Sequence, residues 1–86
     1  MSTVTSPEAL IEAVEASDDA ITATLTDGRT ISVPLDWSWR LFDATPAERR
    51  NFRIIGSGQG VHWPDIDEDI SLHGMLHGIR AIRPAK

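Results

Sequence analysis

The feature that most constrains this chain is a pair of alternating stretches around an Asp-Gly step. Ala20-Ile21-Thr22-Ala23-Thr24-Leu25-Thr26 alternates apolar and polar positions, and Arg29-Thr30-Ile31-Ser32-Val33-Pro34-Leu35 does the same. A period of two puts Ile21, Ala23 and Leu25 on one face, with Ile31, Val33 and Leu35 able to share it. Asp27-Gly28 is a two-residue hairpin signal, because a type I′ turn needs φ > 0 at both positions. Pro34 donates no ladder bond and belongs at a strand end or an edge. A lone two-stranded hairpin is marginal in water, so the fold needs a further strand.

The segment before the hairpin has two readings. Ser6-Pro7 suits an N-cap and first helical position, with Leu10, Ile11 and Val14 on one helical face. Ile11 and Ala13, or Val14 and Ala16, instead suit a strand leading into an Asp18-Asp19 turn. The hairpin's need for a partner favours a strand from about Leu10 to Ala16.

Downstream, Asp36 can cap a short helix through Phe42, with Trp37, Leu41 and Phe42 turned inward. Thr45-Pro46-Ala47-Glu48 is a capping box with proline at the first helical position, opening a helix through about Asn51. Phe52-Arg53-Ile54-Ile55 reads as a strand, broken by Gly56, Gly58 and Gly60 and resumed at Val61-His62-Trp63. Ser71 to Gly78 reads as a short helix with Leu72, Met75 and Leu76 facing in. The expected fold class is α+β: a small antiparallel sheet of two hairpins plus an extra N-terminal strand, with two or three short helices. A chain of 86 residues makes one domain, residues 1–86, with 1–8 and 80–86 loosely ordered.

Such a chain buries only about 60–65% of its unfolded surface, which makes a deep catalytic cleft hard to build and a partner surface easier. No cysteine is present, which excludes disulfide scaffolds and Cys-ligated metal. The balance of 13 acidic against 8 basic residues gives a net charge of -5. That sign repels phosphate and argues against nucleic acid, leaving Arg49, Arg50 and Arg53 as the one basic group for a DNA-binding alternative. No stretch approaches the roughly 20 apolar residues needed to cross a bilayer. Met1 to Leu10 lacks the basic start and apolar core of a secretory signal. A soluble cytoplasmic domain is expected.

Several local patterns invite chemistry. Gly56-Ser57-Gly58-Gln59-Gly60 has no helix directly after it, so it reads as a hairpin loop rather than a phosphate cradle. Asp65-Ile66-Asp67-Glu68-Asp69 resembles the start of a calcium loop, but Ile70 and Leu76 stand where glycine and glutamate are required. Those carboxylates are expected to cap the following helix. His73 and His77 are four apart, and with His62 and Asp67 they form an alternative metal-ligating set, although HExxH is absent. Ser57 lacks the spacing of a nucleophile elbow. No catalytic residue and no cofactor are assigned. Three tryptophans are many for so small a chain. Trp37 and Trp39 cannot face the same way on a helix. An exposed Trp39 beside Arg40 has the composition of a binding hot spot, or else covers a sheet edge.

One resemblance runs through most of the chain. Asp27 to Leu35, Trp37, Arg40-Leu41, Ala44-Thr45-Pro46, Glu48-Arg49 and Gly60-Val61-His62-Trp63-Pro64-Asp65-Ile66-Asp67-Glu68-Asp69-Ile70-Ser71 look like a family of small bacterial proteins known as domain of unknown function 2442. The resemblance covers about Val14 to Gly78, and the His-Trp-Pro-Asp-x-Asp-Glu-Asp run is fairly specific. It implies a compact α+β domain on a small antiparallel sheet. The family has no established activity; its members often accompany a second small protein and have been suggested as antitoxin-like partners.

The expected function is therefore a non-enzymatic protein-interaction module, the antitoxin-like partner of a small basic toxin. The expected contacts are Trp39, Arg40, Trp63, Asp65, Asp67, Glu68 and Asp69, with the acidic balance steering a basic partner. The alternative is a metal- or ligand-binding protein using His62, His73, His77 and Asp67. An unpaired sheet edge would also admit a homodimer.

Overall fold

The computed structural model describes residues 9–78, so the expectation of loose ends at 1–8 and 80–86 lies outside the described residues. The fold is α+β, with two three-stranded antiparallel sheets. Sheet one contains β1 (Ile11–Ala16), β2 (Ala20–Leu25) and β3 (Thr30–Pro34). A 3-10 turn at Leu35–Trp37, α1 (Trp39–Asp43) and α2 (Pro46–Arg50) lead across to sheet two. That sheet contains β4 (Arg53–Ile55), β5 (Gly60–Trp63) and β6 (Glu68–Ser71), and α3 (Leu72–His77) follows. The expectation of one sheet is corrected to two, because Glu68–Ser71 pairs with β5 and completes a second ladder.

The alternation around Asp27-Gly28 does form the central hairpin, with Ile21 opposite Val33 and Ala23 opposite Ile31. The turn differs from expectation. Leu25 accepts from the Gly28 amide at 3.0 Å and donates to the Arg29 carbonyl at 2.8 Å, so Thr26, Asp27 and Gly28 form a three-residue loop. Only Gly28 has positive φ there, at 94°, as the glycine of a turn-plus-bulge hairpin requires.

β1 is the expected third strand. Its pairing with β2 slips between Ile11 and Ala13, so Glu12 forms a bulge. The bulge shifts the side-chain parity, burying Ile11 on the same side as the half-buried Val14 and Ala16. An i, i+3 spacing of inward side chains in a bulged strand imitates a helical face.

α1 begins later than expected. Ser38, not Asp36, is its N-cap, accepting from the Leu41 amide at 3.2 Å. Leu41 is buried, whereas Phe42 points outward. The Thr45 capping box forms as expected, with Thr45 Oγ1 accepting from Glu48 N at 3.1 Å and Glu48 Oε1 accepting from Thr45 N at 2.9 Å. α3 is capped by Ser71, whose hydroxyl accepts from Gly74 N at 2.9 Å, and by left-handed Gly78. The Asp65 to Asp69 carboxylates therefore do not cap α3. Leu72 and Met75 face the core, but Leu76 is exposed.

One apolar cluster joins the halves. Ile21, Ala23, Leu25 and Val33 from sheet one meet Val61 and Trp63 from sheet two, with Leu35, Leu41, Leu72 and Met75 closing the ends. The Ile11 amide donates to the Gly58 carbonyl at 2.7 Å, tying β1 to the β4–β5 loop.

Candidate functional site

The surface that gathers most of the expected contact residues is built from α1 and the β5–β6 turn. Its foundation is buried. Glu68, at 6% exposure, receives the Ser38 hydroxyl and the Asp69 amide (3.1 Å), and the Arg40 guanidinium lies 3.8 Å away. A buried carboxylate is tolerated only when its oxygens are paired, and here both of them are. Ser38 both caps α1 and holds Glu68, so a single hydroxyl fixes the helix against β6. Arg40 also donates to the Asp67 carbonyl at 2.9 Å and lies 5.1 Å above the Trp39 ring. Its cation is thus spent on Glu68, the turn and an indole face.

Above this foundation lies a groove of about 270 Å³ lined by Trp39, Arg40, Asp43, Ala44, Glu48 and Ile66. Trp39 and Ile66 are half-buried and supply its apolar floor. Asp65 and Asp67 flank Ile66 in sequence and are exposed, and Asp43 and Glu48 stand on the α1–α2 side. Phe42, three residues beyond Trp39 on α1, is 53% exposed. The arrangement is an apolar patch with an acidic rim. It sets the Trp39 and Ile66 side chains beside the carboxylates of Asp43 and Glu48.

Two expected contact residues are corrected. Trp63 is wholly buried, because β5 runs between β4 and β6 and presents that side chain to the core. Its indole N–H donates to the Arg49 carbonyl at 3.0 Å, and its ring lies 6.1 Å from Phe52. Glu68 is likewise internal. Both support the surface rather than form it. Trp39 and Arg40 do line one groove, and Asp67 meets Arg40 through its backbone carbonyl. Asp69 is turned elsewhere on β6, accepting from His62 Nδ1 across the strands at 2.6 Å. Asp65 also accepts from Asn51 Nδ2 at 3.0 Å.

The expected three-histidine set is not assembled. His62 pairs with Asp69, whereas His73 and His77 stack on α3 with ring centroids 4.3 Å apart. Among the described residues, no three His, Cys, Asp or Glu side chains are grouped to hold a metal. The basic group also divides. Arg49 is turned inward onto Asp18 (2.7 Å) and the carbonyls of Leu41 (3.0 Å) and Phe42 (3.2 Å), leaving Arg50 and Arg53 exposed. The glycine-rich segment is a hairpin loop between β4 and β5.

Sequence reasoning missed Ser38 and Ile66. Ser38 was legible as an N-cap, three residues before the buried Leu41. Ile66 was hidden as an isolated apolar residue within an acidic run.

The profile of the family described as "Protein of unknown function (DUF2442)" matches residues 11–81. The fold is similar to a protein of unknown function from Rhodospirillum rubrum, with a TM-score of 0.77 and 25% identity over 90% of this chain and 95% of that one. It is also similar to an uncharacterized protein from Chromobacterium violaceum, with a TM-score of 0.71 and 29% identity over 85% of this chain and 69% of that one. No curated protein matches the chain. No helix among the described residues is long and apolar enough to cross a membrane.

Proposed function

We propose that this chain, which belongs to the DUF2442 family, is a non-enzymatic protein-interaction module that docks a small basic protein, as the antitoxin-like partner of a toxin would. The observation that carries the reading is the Trp39–Ile66 groove lined by Asp43 and Glu48, with the exposed Asp65 and Asp67 on either side of Ile66 in the chain. Aromatic anchors dominate interface energies when they become desolvated, and Trp39 is already positioned by Arg40 at little entropic cost. The acidic rim and the net charge of -5 steer a cationic partner and raise its on-rate. The buried Ser38–Glu68 pair, with the partly exposed Arg40 beside it, holds the groove in shape before binding.

The reading is tested by immobilising the wild-type chain and Trp39→Ala in parallel, exposing both to lysate of the source organism, and identifying retained proteins by mass spectrometry. A small basic protein retained by the wild type and lost with Trp39→Ala is expected. Equal retention by both, or retention only of acidic proteins, contradicts the reading.

A further inference from the structure

We propose that His73 and His77 form a two-imidazole site for a divalent late transition metal on the outer side of α3, independent of the Trp39 groove. Both side chains are exposed, one helical turn apart, with ring centroids at 4.3 Å and planes inclined by 38°. With metal–nitrogen bonds of about 2.0–2.1 Å, two imidazoles bound at a right angle place their centroids about 4.5 Å apart. The rings thus already stand near the separation that cis chelation requires. A right angle between ligands suits the tetragonal and octahedral geometries of copper and nickel better than tetrahedral zinc, and the affinity order of divalent ions points the same way.

The backbone fixes this spacing from both ends. Ser71 caps the start of α3, and left-handed Gly78 closes it with its amide on the Gly74 carbonyl. Gly74 stands between the two histidines and weakens the helix by up to about 1 kcal/mol against alanine. A metal bridging positions 73 and 77 would bind the folded turn and not the unfolded one, and so stabilise it. The pair lines a groove of about 520 Å³ with Asp27, Arg29, Gln59 and Leu76, between α3 and the β2–β3 loop. With no third His, Cys, Asp or Glu grouped with them among the described residues, the remaining coordination positions fall to water. His62 belongs to a different site, since its Nδ1 faces Asp69.

Calorimetric titration of the full chain with NiCl2 tests this, alongside His73→Gln, His77→Gln and His62→Gln. One equivalent of nickel is expected for the wild type. Affinity should fall by about tenfold or more in either α3 variant, since even losing an outer-shell partner costs 10–100-fold at metal sites. His62→Gln should bind as the wild type does, and nickel should raise the melting temperature of the wild type but not of His77→Gln. Because all three side chains sit away from the core, metal-free melts show that each variant is folded. No heat up to about millimolar nickel, or equal binding by wild type and His77→Gln, overturns the site.

Discussion

Strands β1 to β3 run five or six residues, and β2 and β3 show the in–out alternation of a half-buried sheet. Strands β4 to β6 run three or four residues, and only β6 alternates, with a charged Glu68 as its buried position: β4 is exposed throughout, while β5 is buried at Gly60, Val61 and Trp63. The first sheet draws on local pattern and a tight turn. The second is held by contacts from outside itself: Trp63 to the Arg49 carbonyl, Gly58 to Ile11, and Glu68 to Ser38 and Arg40. A short sheet can therefore carry a rigid surface if distant residues brace it.

The strongest way to break this contrast is at Trp63. Trp63→Ala removes a fully buried ring and should cost about 3–5 kcal/mol. Against a total stability of about 4–13 kcal/mol for a chain of this length, urea unfolding should show a largely unfolded or severely weakened protein. Trp39→Ala should cost about 1 kcal/mol or less, because its side chain already meets solvent. Similar losses for the two indoles would erase the distinction between brace and surface.

The two glycine loops give the next comparison. A Cβ on Gly58 would stand 2.7 Å from Leu10 Cβ and 3.0 Å from the Ile11 carbonyl, at φ +103°. Gly58→Ala combines that overlap with backbone strain and should cost about 2–4 kcal/mol. Gly28→Ala meets nothing within 4 Å and carries only the strain of φ +94°, about 1 kcal/mol. Equal melting temperatures for the two variants would show that the Gly58–Ile11 joint does not hold the sheets together. Between the sheets, Thr45→Ala should cost about 1 kcal/mol through loss of the capping box, read by thermal melting.

The smallest effect belongs to the first sheet's turn. The Arg29 backbone amide, and then its guanidinium, hold the Asp27 carboxyl below its ordinary value of 3.8. Because the folded-state value is depressed, the stabilisation is present above the unfolded value and disappears as pH falls through the folded one. Asp27→Asn should therefore melt slightly below the wild type at neutral pH, with the gap closing on acidification. A gap that widens in acid would reverse the assignment.

Legibility follows the same division. The β2–β3 pairing could be read because each strand alternates, and the Thr45 box because capping is local. β1 was ambiguous for a physical reason: its bulge at Glu12 gave Ile11 and Val14 a helical spacing. β6 was hidden because Glu68 is a charged residue facing inward, admissible through partners such as Ser38, thirty positions away in sequence, and Arg40. The same long-range pairing concealed that Trp63 and Glu68 lie beneath the surface while Trp39, Asp65 and Asp67 form it. Apolarity alone places Phe42 and Leu76 in the core, because it does not tell which side of a five- or six-residue helix meets solvent.

The proposed docking role is tested most directly by calorimetry on the basic protein captured by the wild type, titrated into wild type and Trp39→Ala at low and high salt. The account predicts a loss of about 2 kcal/mol or more with Trp39→Ala, and weaker binding by the wild type as salt screens the acidic rim. Unchanged affinity with Trp39→Ala, or binding indifferent to salt, would contradict it.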